Sequence, residues 1–205
     1  MLPRTTRRRP TVKLEPRAYD VAGLPLRYMN PGELPVLLHL LEMADPGVVI
    51  EFGVNRGRNA AAALRNIPGI RHYVGVDVDA SYRPHLLNAQ RGEIPTHPGD
   101  LVAGDARFTL IVKPHDTFDL VPADLPAADA VFIDADHSRA GVEHDYGLAC
   151  RVLRPGGIVI FHDDNGLAEV QVTETLNDLC DGGADIRHVD GTWLAFEVRP
   201  GKAEP

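Results

Sequence analysis

The sequence predicts an α/β domain built on a doubly wound, mostly parallel sheet. Short apolar runs rich in β-branched residues alternate with helix-like stretches, which calls for parallel strands joined by crossover helices. The strand-like runs are apolar throughout rather than at every second position, as expected of strands covered on both faces. A last pair of runs flanks Asp190-Gly191, a hairpin signal that adds an antiparallel edge.

The elements follow in order. Pro31-Gly32-Glu33 opens a helix whose Leu34, Leu37, Leu38 and Leu41 recur at helical spacing, and Asp45-Pro46-Gly47 ends it. Val48-Val49-Ile50-Glu51-Phe52 is a β-rich run that stops at Gly53. Residues 58–66 are Ala-rich and read as helix, closed by Pro68-Gly69. Strand is expected over 72–77, helix over 84–90, a short strand over 101–103 and a strong one over 130–134. Residues 140–153 read as helix, stopped by Arg154-Pro155-Gly156-Gly157; 158–161 form a fifth apolar strand, and 167–179 another amphipathic helix. Residues 186–189 and 193–198 make the hairpin. No internal repeat is present.

Composition narrows the function. A chain of 205 residues suits one domain with trimmings. Cys150 and Cys180 are the only cysteines, which excludes a disulfide scaffold or a four-cysteine zinc site. No window approaches the roughly 20 apolar residues of a membrane span. The net charge of -8 hides an asymmetry: residues 1–20 carry six basic side chains against Glu15 and Asp20, so the remaining 185 carry -12. The expected organisation is a disordered, solvated basic tail over 1–20 and a single domain over 21–205. The tail lacks the apolar segment of a secretory leader, and the expected setting is the cytoplasm. An acidic body argues against a nucleic-acid groove.

In open α/β sheets ligands bind beyond the carboxyl ends of the strands, and the chemistry-bearing residues fall there. Glu51-Phe52-Gly53-Val54-Asn55-Arg56-Gly57 follows the first strand: Gly53 permits a sharp turn and Gly57 close packing of the next helix. A glycine turn without a ligand would read the same. Glu51 stands where the first glycine of a dinucleotide fingerprint belongs, which disfavours a nicotinamide enzyme. Asp77, 26 residues after Glu51, can accept both hydroxyls of a ribose or merely cap a helix. Gly104-Asp105-Ala106 is read as the end of the third strand, with Asp105 able to reach an adenine amine. Phe132-Ile133-Asp134-Ala135-Asp136-His137-Ser138 and His162-Asp163-Asp164-Asn165 bring four acids, two histidines and an Asn to two strand ends. Clustered carboxylates repel unless a cation or proton compensates.

In this order the motifs resemble the class I S-adenosylmethionine-dependent methyltransferases, most closely the small-molecule O-methyltransferase branch. The resemblance spans 29–198 and implies a seven-stranded Rossmann-like sheet with a reversed last strand. It implies a cofactor site of Glu51, Gly53, Asn55, Gly57, Asp77, Val78, Asp105, Ala106 and Asp134. The methionine part would lie by Gly53, Asn55 and Gly57, the ribose by Asp77, the adenine by Asp105 and Ala106, and the sulfonium near Asp134. It also implies S-adenosylmethionine as cofactor and a small hydroxylated molecule as acceptor, with a homodimer as a possible assembly. A non-catalytic S-adenosylmethionine-binding module or partner subunit is the alternative. Transfer to a hydroxyl needs a base, or a cation that lowers the acceptor's pKa; His137, three residues past Asp134, is the candidate base. Metal-dependent members place one ligand after the fourth strand and an acidic pair after the fifth, which here gives Asp134 with His162 and Asp163. A register shifted by two offers Asp164-Asn165. An oxygen-only set suits Mg²⁺, and one with histidine suits Mn²⁺, Fe²⁺ or Zn²⁺.

Overall fold

A computed structural model describes residues 5–25, 29–83, 94–167 and 170–201. Its elements are β1 (Thr11–Val12), α1 (Glu33–Met43), β2 (Val48–Phe52), α2 (Arg58–Asn66), β3 (His72–Asp77), β4 (Phe108–Val112), β5 (Ala128–Ile133), α3 (Arg139–Val152), β6 (Leu153–Phe161), α4 (Val172–Asp181), β7 (Arg187–Val189) and β8 (Ala195–Val198). The strands form one sheet in the order β1-β7-β8-β6-β5-β2-β3-β4. Only β8 runs antiparallel to its neighbours. The expected doubly wound sheet with a terminal antiparallel hairpin is therefore present.

Side chains of alternate residues along a strand point to opposite faces, and both faces are covered. Val49, Ala130, Phe132, Ile158 and Ile160 pack under α1 and α2. Ile50, Phe52, Val131, Ile133, Val159 and Phe161 pack under α3 and α4. This two-sided burial is why the strands read as continuous apolar runs. Among the described residues no helix is long and apolar enough to cross a membrane.

Three expectations are corrected. The strand expected over 101–103 is a turn, and the strand lies at Phe108–Val112. Among the described residues the sheet has eight strands rather than seven, because Thr11 and Val12 pair in parallel with His188 and Val189. Thirdly, from Thr5 onward the basic segment read as a solvated arm lies against the body. Its arginines meet the carboxylates that the acidic body supplies. Arg9 is buried, with Nη2 2.6 Å from Asp164 Oδ2 and Nη1 donating to Asn177 Oδ1 at 2.7 Å. Arg7 Nη2 donates to the Asp164 carbonyl at 2.6 Å, and the exposed Arg8 pairs with Asp178 and Asp181. The helix expected over 84–90 lies outside the described residues.

Removing one partner of a buried ion pair leaves an uncompensated charge, whereas exposed pairs contribute little. Arg9→Met is expected to lower unfolding stability by about 3–5 kcal/mol, and Arg8→Met by less than about 1 kcal/mol, as read by urea denaturation. Equal effects would contradict a buried anchor at Arg9.

Candidate active site

The sheet reverses its direction of growth between β2 and β5, and ligands of doubly wound sheets bind beyond the strand ends at such a switch point. The turn after β2 is compressed there. Gly53 has φ 81°, and a Cβ on it would stand 2.1 Å from the Asp134 carbonyl oxygen, so only glycine fits. Gly53 and Val54 both donate their amides to the Val76 carbonyl. Gly57 has φ 83° and begins α2.

Asp77 ends β3 beside this turn. Its Oδ2 accepts the Asn55 amide at 2.5 Å and its Oδ1 the Val78 amide at 2.7 Å. Burial raises its pKa to about 6 although both amides oppose the rise. Gly53, Asn55, Asp77 and Val78 are thus hydrogen-bonded into one rim, and Gly57 stands at the head of α2.

Asp105 and Ala106 do not join that rim. They precede β4, and Asp105 binds Arg107 in a 2.6 Å ion pair. The position assigned to them follows from the misplaced strand. Beyond the true end of β4 stand the buried Asp116 and Thr117. Burial, then the Asp77 charge, raises the pKa of Asp116 to about 7. The Thr117 hydroxyl donates to the buried Asp145. The β-branched and aromatic run Phe-Thr-Leu-Ile-Val was the available signal for this placement.

Glu51 is fully buried under the turn, accepting from Asn59 Nδ2 at 2.8 Å and from the Tyr73 hydroxyl at 2.9 Å. Burial lifts its pKa to about 8. It fastens α2 and β3 to β2 rather than lining the rim.

Asp134, at the end of β5, meets His162 and Asp163, at the end of β6. Donor atoms of these three residues lie within 4.8 Å of one another. His162 Nδ1 stands 3.2 Å from Asp134 Oδ1 and 3.6 Å from Asp163 Oδ1, yet is buried without a hydrogen-bond partner. The other ring nitrogen, Nε2, lies 3.4 Å from Glu33 Oε2. His137 Nε2 reaches Asp134 Oδ1 at 3.3 Å and Asp163 Oδ2 at 3.2 Å. Burial would raise the Asp134 pKa, but the two imidazoles hold it at about 2. Burial opposes protonation of His137, and the two carboxylates nevertheless raise it to about 9. Asp163 adopts φ 56°, a conformation that non-glycine residues rarely hold outside constrained sites.

Asp164 turns away from this cluster to Arg9, to His188 Nδ1 at 2.8 Å and to the Thr173 hydroxyl at 2.8 Å. The cluster therefore uses the His162-Asp163 register, and Asp164 ties down the arm. A cleft of about 370 Å³ opens on this side, its lining including Arg7, Asn165, His188, Asp190 and Trp193. Trp193, expected to begin the last strand, instead precedes β8, and its ring centroid lies 6.2 Å from that of His162.

The comparisons with known proteins agree with this architecture. No curated protein sequence matches the chain. A Klebsiella pneumoniae protein provisionally named an O-methyltransferase is 20% identical, over 87% of this chain and 84% of that one, with a TM-score of 0.59. The O-methyltransferase of tomaymycin synthesis from Streptomyces achromogenes, solved with S-adenosylmethionine, is 17% identical, over 88% of this chain and 83% of that one, with a TM-score of 0.57. The Bacillus cereus O-methyltransferase, solved with S-adenosylhomocysteine, is 16% identical over 87% and 86%, with a TM-score of 0.52. These likenesses show a shared fold. The family described as "Methyltransferase domain" matches residues 50–163, more than half of the chain, and the chain belongs to that family.

Glu51 supplies a test of this geometry. A carboxyl whose folded pKa is raised contributes stability that is complete below its unfolded value and lost as pH rises to the folded one. For Glu51 that window runs from 4.5 to about 8. Glu51→Gln should therefore gain on the wild type by about 2 kcal/mol or more between pH 5 and pH 8, measured by denaturant unfolding. Parallel stability curves would contradict a buried, protonated Glu51.

Proposed function

We propose that the chain transfers the methyl group of S-adenosylmethionine to a hydroxyl of a small polar acceptor, assisted by a divalent cation. The observation that carries this reading is the order of features along one sheet edge. The Gly53–Asp77 rim lies on one side, the polar cleft on the other, and Asp134, His162 and Asp163 stand between them.

On the cofactor side, each Asp77 oxygen takes one backbone amide and keeps a lone pair for a ribose hydroxyl. The turn that Gly53 closes against Asp134 would border the methionine portion. Asp116 and Thr117 take the adenine role first assigned to Asp105 and Ala106, because they follow β4 on the same edge as Asp77. Bound S-adenosylmethionine supplies the methyl group already activated by its sulfonium charge, so the protein's main task is to align two reactants.

The acceptor lies in the cleft, its hydroxyl directed toward Asp134 and its remaining polar groups toward Arg7, Asn165 and Asp190. Trp193 walls the cleft beside the cluster. His137 takes the hydroxyl proton. Between Asp134 and Asp163 its ring holds a proton up to about pH 9; a cation on those carboxylates would loosen that hold, and turnover should rise with pH as the ring becomes neutral.

The cluster also suits a cation. His162 Nδ1 is buried without a hydrogen-bond partner and faces two carboxylates, and one nitrogen with two oxygens favours Mn²⁺, Fe²⁺ or Zn²⁺ over Mg²⁺. Asp134, His162 Nδ1 and Asp163 would hold it. Bound there, it would act as a Lewis acid on the acceptor oxygen.

Calorimetry should show S-adenosylhomocysteine binding to the wild type and weaker binding to Asp77→Asn, with no binding of NAD; tight binding of NAD alone would overturn the reading. Mass spectrometry of a metabolite extract incubated with labelled cofactor identifies the acceptor. With an acceptor in hand, EDTA should abolish turnover and a divalent ion restore it. Full activity in chelator would remove the cation. His137→Gln should lower kcat by about 10²–10⁴-fold and flatten the rise with pH; an unchanged pH profile would exclude His137 as the base.

A further inference from the structure

We propose that Glu33 is the positioning residue for His162: it accepts the Nε2–H of the ring and so turns Nδ1 toward the space between Asp134 and Asp163, where a cation would take it. The inference rests on the cation reading above, but concerns a residue from the first turn of α1, 129 positions away in sequence.

Glu33 is only 1% exposed, unusual for a glutamate at a helix start. Its carboxylate is fully engaged. Oε2 accepts the Asn30 amide at 2.8 Å and lies 3.4 Å from His162 Nε2, while Oε1 accepts the Trp193 amide. Local capping accounts for the Asn30 contact. It does not account for contacts with His162 and Trp193, which come from the far end of the chain.

The chemistry of the ring makes these contacts consequential. Neutral imidazole carries one N–H and one lone pair, and a partner at one nitrogen decides which nitrogen keeps the proton. With a carboxylate at Nε2, the proton there is kept, and Nδ1 is the one whose proton a cation between Asp134 and Asp163 would displace. That nitrogen is buried, has no hydrogen-bond partner, and stands 3.2 Å from Asp134 Oδ1. Histidines that bind metals are commonly oriented by a carboxylate on the other nitrogen. Phe132 and Trp193 flank the ring, each with its centroid 6.2 Å away, and limit its rotation. Glu33 thereby couples α1, the turn before β8 and the cluster.

Trp193 is the only tryptophan of the chain, so its fluorescence reports events at His162. The test titrates Mn²⁺ into wild type and Glu33→Gln, following calorimetric heat and Trp193 quenching, with cooperative thermal unfolding as the control for fold. Glu33→Gln is expected to bind Mn²⁺ about 10–100-fold more weakly, while the exposed Glu143→Gln binds as the wild type does. Equal affinity of wild type and Glu33→Gln would overturn the role of Glu33 and leave the cation site standing. No Mn²⁺ binding by the wild type would overturn the site and the proposal together. Should Glu33→Gln fail to fold, ¹⁵N-histidine NMR of the Zn²⁺-loaded wild type decides. His162 is expected to carry its proton on Nε2 and the metal on Nδ1; metal on Nε2 would overturn the proposal.

Discussion

Asp134 and Asp163 sit at the ends of adjacent parallel strands, and the pairing of Ile133 with Phe161 forces their carboxylates into the same few ångströms. Two like charges in so small and poorly solvated a space repel strongly unless something compensates. In the protein as described, His137 and His162 supply that compensation from either side. Much of the surrounding construction holds the cluster in place. Asp134 donates its amide to Phe52, His162 to Ile133, and Asp164 to Trp193, so one chain of backbone bonds crosses from β2 to the turn before β8. Arg9 and His188 fix Asp164, the residue next to Asp163, and Glu33 meets the back of His162.

That constraint divides the sheet edge. Toward β3 and β4 the groups are backbone amides, glycine turns and the carboxylates of Asp77 and Asp116, both of which burial pushes toward the neutral form. Toward β8, β7 and β1 the groups are Arg7, Asn165, Asp190 and Trp193 around an open cleft. The two halves share only the charged cluster, where we place the reacting atoms.

Sequence reasoning reached the strands that are covered on both faces, because their apolar runs are a direct record of two-sided burial. It put Asp77, Asp134, His137, His162 and Asp163 at or just past the ends of such strands, and they lie there. It misplaced β4, a half-buried edge strand with polar residues on either side, and the roles given to Asp105 and Ala106 moved with that error. The ordered arm was illegible for a different reason. Its composition is that of a solvated segment, and what orders it is Asp164, more than 150 residues later. Glu33 and Trp193 escaped in the same way: local pattern marks one as a helix start and the other as a strand start, and only the fold brings both to His162. Contacts of this kind join residues whose separation leaves no periodic signature.

The most direct measurement of the central claim is anomalous diffraction from crystals soaked with Mn²⁺ and S-adenosylhomocysteine. The account predicts a manganese peak shared by Asp134, His162 Nδ1 and Asp163, with the cofactor ribose on Asp77 and its sulfur directed toward that peak. Manganese bound elsewhere, or a cofactor lying outside the Gly53–Asp77 rim, would contradict it.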